Sequence, residues 1–484
     1  MTKRSILTLC IGLLLVPTLQ AQTKSFKRGL SYNTLFPEDI DALSRGVSWV
    51  YNWAPDNNNA TLTQYGIDFV PMAWSGLDKT RVRAYLKNHP EVKYILGFNE
   101  PNFRAQADLT PTQAAAKWPD IEEIADEFGL KIVSPAVNHS PDAPYQDPVK
   151  WMDEFFAACT HCRIDHIAVH FYMTTVSAIQ SNIERFKKYG KPIWLTEFCI
   201  LEGGTPASQR HFMVETLNYL ETDPDIYRYA WFKDRYKGIS MNVLDAFKEG
   251  VLTDLGTVFV NMSSYDDDFY FTTEQQIPSV HYIRMKDAHI EKTTDVSGII
   301  NLCDMNAPVS WIDYNVDIPE AGEYNIFFRL SAEYPDESEV YVSVEEKQIT
   351  SLHFEKKGVN VWNTQSCKGT FSKGKQKIRI GFKQGGLRLN WWAISKNDQP
   401  PAALETIATE NVAVYPNPVK DLLYLQTPDN RNEISLYDVS GKRIYFGKNV
   451  DRIDMSDFSQ GMYLLNISAE NGVRKVIKLL KENR

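Results

Sequence analysis

Two strand-like runs of the chain close on a glutamate. YILGFNEPN ends in Asn99 and Glu100, and PIWLTEF ends in Thr196 and Glu197. Two carboxylates facing each other over a pocket can divide labour: one protonates a leaving oxygen while the other attacks the carbon or activates water against it, as glycoside hydrolysis requires. Either glutamate alone reads equally as a structural salt bridge or a metal ligand, and the pairing at two strand ends favours catalysis. Other polar and aromatic residues close similar runs: Trp53 in YNW, Trp74 in PMAW, Asn138 in VSPAVN, His170 and Tyr172 in VHFY, and Trp231 in RYAWF. Indole faces at such ends suit stacking on sugar rings. Asn138 reads either as a hydroxyl partner or as a turn cap. Trp194, in mid-run, reads as core.

These residues need a scaffold that brings many strand ends together. Eight strand candidates run over 28–33, 48–53, 68–74, 94–100, 131–138, 166–172, 192–198 and 228–232. Between them lie stretches with helical apolar spacing, among them 78–88, 112–128, 174–189 and 207–219. Strict alternation implies a parallel sheet, and eight repeats fit an α/β fold of the (β/α)8 TIM-barrel class, whose strand C-termini surround one mouth. An open doubly wound sheet is the alternative. It would want a glycine-rich first turn, whereas the turn here reads TLFPED.

Beyond Met262 the pattern shifts to short alternating runs broken by Gly, Pro and Asp, which predicts a β-sandwich over 276–397. A Pro/Ala-rich polar stretch at 398–408 reads as a linker, and 409–484 as a second all-β sandwich unit. At the other end, Lys3 and Arg4 precede an apolar stretch from Ile6 to Val16, with a small-residue cleavage point after Ala21, so 1–21 reads as a secretory signal peptide. Export permits disulfides. The CxxC of Cys159 and Cys162 is expected to close a local bridge, Cys199 to be a buried thiol, and Cys303 and Cys367 could pair in the sandwich.

The 484 residues are 43% apolar, 23% charged and 12% aromatic, a globular profile. Net charge is −9, with no basic run, which excludes nucleic acid or an anionic bilayer as the expected partner.

The texts GFNEPN, VSPAVN, IDHIAVHFY and PIWLTEF, with YNW and PMAW before them, resemble glycoside hydrolase family 128 across nearly all of 28–262. The implied domain is 26–262 and the implied activity is that of a retaining endo-β-1,3-glucanase acting on laminarin- or curdlan-type glucan without cofactor or metal. The resemblance makes Glu100 the acid/base and Glu197 the nucleophile, with the carboxyls about 5 to 5.5 Å apart. Phe98 and Pro101, with the facing carboxylate, would raise the Glu100 carboxyl's pKa, and Tyr172 and His170 would hydrogen-bond Glu197. Asn99 would meet the sugar 2-hydroxyl, Asn138 another hydroxyl, and Trp53, Trp74 and Trp231 would line the cleft. Another retaining β-glycanase acting on mannan, xylan or mixed-linkage glucan, or a non-catalytic glycan-binding surface protein, are the alternatives.

SWIDYNVDIPEAGEYNIFFRLSA and LRLNWWAIS resemble a family 6 carbohydrate-binding module. The resemblance implies a sugar contact at Asn390, although the two aromatic positions of that family fall near Leu302 and Val359, both aliphatic. VYPNPVKDLLYL, LYDVSGKRIY and GMYLLNI resemble the type A sorting domain of the type IX secretion system, which implies a secreted or cell-surface protein with the secretion machinery as a partner. The protein is expected to be a monomer that does not insert in a membrane.

Overall fold

The computed structural model describes residues 22–402, apart from 59–60, 306–309, 333–337, 355–356, 359 and 384–385, and residues 413–482, apart from 427–431, 439–441 and 470–473. The expected signal segment 1–21, Val359 and the second half of the expected linker lie outside the described residues.

Nine parallel strands make the N-terminal sheet: β1 (Arg28–Ser31), β2 (Trp49–Tyr51), β3 (Asp68–Phe69), β4 (Met72–Trp74), β5 (Tyr94–Phe98), β6 (Lys131–Val137), β7 (His166–His170), β8 (Ile193–Phe198) and β9 (Ile226–Trp231). Their order is β3-β2-β1-β9-β8-β7-β6-β5-β4. The two ends of that path, β3 and β4, are halves of one segment split at Val70–Pro71, so eight staves close a TIM barrel. The expected third strand, 68–74, is broken because Pro71 has no N–H to give to a ladder.

Helices cover the outside: α1 (Pro37–Leu43), α2 (Lys79–Asn88), α3 (Pro111–Phe128), α4 (Pro148–Ala158), α5 (Val176–Glu184), α6 (Pro206–Thr222) and α7 (Asp254–Asn261). Their starts are written in the sequence. Thr110 Oγ1 accepts from the Gln113 N–H at 3.2 Å while Gln113 Oε1 accepts from the Thr110 N–H at 2.8 Å, a closed capping box before Pro111.

Strand alternation sorts the barrel side chains. Trp49, Tyr51, Met72, Leu96, Val133, Ala168, Trp194 and Ala230 fill the interior, and Val50, Ile95, Phe98, Ile132, Ile167, Val169, Leu195 and Trp231 pack under the helices. Cys159 and Cys162 form a disulfide with Cα atoms 5.2 Å apart.

Residues 271–395 form two facing six-stranded sheets whose apolar interior is continuous with the barrel's outer layer. α6 contributes to the junction: Tyr282 donates to Asn218 at 3.0 Å, and the rings of His211 and His289 stack at 4.1 Å. Cys303 and Cys367 are free thiols. Their strands, Ile300–Met305 and Asn363–Phe371, are separated in one sheet by two others, a gap of about 14 Å that a disulfide cannot span.

The second compact unit, beginning at Ala403, contains a three-stranded and a four-stranded sheet around its own core of Leu423, Leu425, Ile434, Leu436, Ile453, Leu465 and Ile467.

Candidate active site

The mouth at the strand C-termini holds a cleft of about 660 Å³ lined by Asn99, Glu100, Asn138, Tyr172, Glu197, Trp53 and Trp74. Each is delivered by the end of a stave or one of the two residues past it. Three of them, Trp53, Trp74 and Glu100, have left-handed backbone with φ of 59°, 50° and 42°. That region is costly for side chains of this bulk, about 1–3 kcal/mol each, and it turns each side chain off its strand's line into the mouth.

Glu197, at the end of β8, is held by three donors. Its Oε1 accepts from Tyr51 Oη at 2.9 Å and from the Trp53 indole N–H at 2.8 Å, and its Oε2 accepts from Tyr172 Oη. Glu100 Oε1 accepts from Asn138 Nδ2 at 3.0 Å and lies 2.9 Å from His170 Nδ1. The same nitrogen is 3.4 Å from Glu197 Oε2. His170 is fully buried at the end of β7, and one donor atom from each of Glu100, His170 and Glu197 lies within 4.8 Å of the other two.

Burial opposes charge on His170, yet the Glu197 charge and the Glu100 hydrogen bond and charge outweigh it, raising the imidazole above its ordinary value. Burial alone would lift the Glu100 carboxyl; the His170 hydrogen bond and charge, with the Asn138 hydrogen bond, bring it below the ordinary value instead. The expected upward shift of Glu100 is therefore reversed. Phe98, called upon to raise it, points outward in β5 and packs edge-on against Trp118 at 5.7 Å, leaving polar residues around the carboxyl.

Other placements also correct the sequence reading. Trp231 is not in the cleft: Ala230 takes the inward position of β9, so Trp231 packs outward against Phe198 at 5.1 Å and donates to the Met241 carbonyl at 2.8 Å. Trp53 lines the cleft but spends its indole N–H on Glu197. Asn138 directs its amide N–H to Glu100, and its Oδ1 accepts from the His139 N–H at 2.8 Å. His170, expected at Glu197, lies closer to Glu100. Asn99 keeps a free acceptor: its Nδ2 donates to Gln106 Oε1 at 3.1 Å, and its buried Oδ1 has no partner among the described residues. Outside the cleft lining, Asn390 is buried in the sandwich with its Nδ2 donated to Asp295 Oδ2 and the Ser297 carbonyl, both at 2.8 Å, and Leu302 is core. Tyr51 and Lys233 went unread. Tyr51 shares the inward face with Trp53 two residues on, a period-two signal that YNW carried; Lys233, past β9 and beside the Trp53 ring at 5.5 Å, carried none.

Comparison with known proteins places this geometry. Residues 29–259 match the family described as Glycosyl hydrolase catalytic core, 279–396 the family 6 carbohydrate-binding module, and 413–482 the secretion system C-terminal sorting domain. A subgroup II endo-β-1,3-glucanase of glycoside hydrolase family 128 from Pseudomonas viridiflava is 40% identical, the alignment covering 49% of this chain and 98% of that one, with TM-score 0.46. The chain belongs to glycoside hydrolase family 128. A second member, from Sorangium cellulosum, is also 40% identical over 49% of this chain and 98% of its own, with TM-score 0.45. The curated Alkali-sensitive linkage protein 1 of Schizosaccharomyces pombe is 25% identical over 49% of this chain, which spans only 45% of that relative's length. The protein is thus a glycoside hydrolase, and its C-terminal unit is a sorting domain of the type IX kind, which marks it as secreted or cell-surface. No helix among the described residues is long and apolar enough to cross a membrane.

Proposed function

We propose that the protein is a secreted, retaining endo-β-1,3-glucanase that cleaves β-1,3-glucan by double displacement. The observation that carries the reading is the closeness of the two carboxyl groups: facing oxygens of Glu100 and Glu197 lie within 4.8 Å. An inverting enzyme keeps its carboxyls about 6.5–9.5 Å apart to seat a water, and a retaining one about 5–5.5 Å. The 40% identity to two endo-β-1,3-glucanases supports the linkage and the endo mode.

In this reading Glu197 attacks the anomeric carbon. Tyr51, Trp53 and Tyr172 fix both of its oxygens, so the attacking lone pair is aimed before substrate arrives. Glu100 protonates the departing glycosidic oxygen, and once the leaving sugar has gone it takes a proton from the water that hydrolyses the glycosyl ester. The unpartnered Asn99 Oδ1 is placed to accept from the sugar 2-hydroxyl, a contact that strengthens as positive charge builds at the anomeric carbon. Trp74 supplies a face for an adjacent glucose. The catalytic domain is assigned to 26–262, the module-like sandwich to 276–397 and the sorting domain to 409–484. Asn390, already bonded internally, makes the sandwich a brace for the barrel in this scheme.

Slow turnover of a 2-deoxy-2-fluoro laminaribiosyl fluoride tests the nucleophile. The expected result is a mass increase of one 2-deoxy-2-fluoro laminaribiosyl group on the peptide containing Glu197, absent in Glu197→Gln. Labelling of Glu100, or none with an active enzyme, would overturn the assignment.

A further inference from the structure

Nothing in the two-carboxylate scheme requires a histidine, yet His170 is fully buried with one nitrogen directed at both acids. With both acids ionised that nitrogen bears a proton, since its lone pair would otherwise face carboxylate oxygens at 2.9 and 3.4 Å. His170 Nε2 is buried without a partner among the described residues, so the two carboxylates at Nδ1 are what favour charge on the ring. The ring is held from the Nδ1 side alone.

We propose that His170 is the proton reservoir of the active site: in the resting enzyme it is an imidazolium between two carboxylates, and it supplies through Glu100 the proton that leaves with the departing sugar. This rests on the assignment of Glu100 and Glu197 above. His170 acts through Glu100 and is a positioning residue.

The proposal keeps the charge of a buried cluster constant. With Glu100 and Glu197 ionised and His170 protonated, the three groups carry −1. When Glu197 attacks, the bond from the anomeric carbon to the leaving oxygen breaks and a carbon–oxygen bond to Glu197 forms. Glu100 takes a proton from His170 Nδ1 across the 2.9 Å contact and passes it to the leaving oxygen. The cluster then holds an ionised Glu100, a neutral His170 and an uncharged ester, again −1. Water attacks the ester, its proton returns by way of Glu100 to His170, and Glu197 is released as a carboxylate. At no stage does the closed site hold an additional net charge, which would be expensive at this depth.

The elements packed around the ring supply the charges that make this work. Glu100 comes from β5 and Glu197 from β8; Tyr172 follows the ring's own strand; Tyr51 of β2, Cys199 after β8 and Lys233 after β9 act on it through Glu197. Burial pushes the Tyr51 and Tyr172 hydroxyls and the Cys199 thiol up, so they stay protonated near neutral pH. Burial lowers the Lys233 ammonium, opposed by the Asp234 and Glu197 charges, and the proton transfer is assigned to Glu100 and His170. The lowered carboxyl of Glu100 ceases to be a paradox for an acid, because its proton is stored one hydrogen bond away.

Nitrogen-15 NMR of the full-length chain labelled at its nine histidines tests this without turnover, so its outcome is separable from failure of the glucanase reading. The expected result at pH 7 is one ring with both nitrogens protonated, missing in His170→Gln and losing its proton at lower pH in Glu197→Gln. A ring protonated at Nδ1 alone from pH 5 to 8 would overturn the proposal. If His170→Gln does not fold, the Glu197→Gln displacement still identifies the signal and decides the matter. Kinetically, His170→Gln is expected to lower kcat about 10²-fold with KM little changed, and to move the alkaline limb of the pH profile towards acid. A KM effect with the limb unmoved would mark His170 as merely structural.

Discussion

Tyr51, Trp53 and Tyr172 direct their donors to Glu197, so removing one should damage the chemical step more than binding. Tyr172→Phe is expected to lower kcat about 10²-fold with KM nearly unchanged, measured on a soluble β-1,3-glucan. A loss confined to KM would show that the hydroxyl serves the sugar instead. The buried pair also sets a pH signature for stability. Folding lifts His170 above its ordinary 6.5 and drops Glu100 below its ordinary 4.5. The His170 contribution is complete below 6.5 and is lost as pH rises through its folded value, while the Glu100 contribution is complete above 4.5 and is lost as pH falls through its folded value. Thermal unfolding should therefore show greatest stability between about 5 and 6.5, with a flatter profile in the Glu100→Gln, His170→Gln double variant. At this scale the sequence exposed which residues end strands and little of what they do there. Glu100, Glu197 and Asn99 were legible from type and position. Trp53 and Asn138 were legible as cleft residues, but their service to the carboxylates depends on side-chain direction, which a left-handed φ at Trp53 sets and no motif announces.

The elements that carry these residues meet at close quarters. A Cβ on Gly97 of β5 would lie 2.9 Å from the backbone of Ser134 and Pro135 in β6, so the two strands can approach only because that position has no side chain. Gly97→Ala should destabilise the protein by about 1–3 kcal/mol in denaturant titration and should shift Glu100 relative to Asn138, lowering activity. Unchanged stability would mean the strands part freely. Alternation explains both the success and the failure of reading elements from sequence. The eight runs were visible from apolar spacing, helix starts from their capping residues, and the interior position of Trp194 from its place in mid-strand. Trp231 was misplaced because the end of a strand has two faces, and only the register of Ala230 with the interior decides which face it takes. The break at Pro71 was legible in principle, since a proline within a strand run predicts an interruption.

At the scale of the molecule, barrel and sandwich share one apolar core while the C-terminal unit has its own. Ending the chain after Ala402 should leave Tm and kcat/KM of the remaining protein unchanged. Ending it after Met262 should lower Tm sharply, because α6 and α7 would lose the apolar surface that now covers them. Equal effects of the two truncations would contradict the division. Composition foretold the change from βα alternation to all-β texture, but whether two such parts keep separate cores depends on contacts between distant residues such as Asn218 and Tyr282.

The central claim, a double displacement carried by Glu100 and Glu197, is tested most directly by proton NMR of the full-length protein cutting linear β-1,3-glucan, with cellulose-type glucan, mannan and xylan alongside. Early release of the β-anomer from β-1,3-glucan alone is the expected result. Early α-anomer would contradict the mechanism, and turnover of another glycan in preference would contradict the substrate.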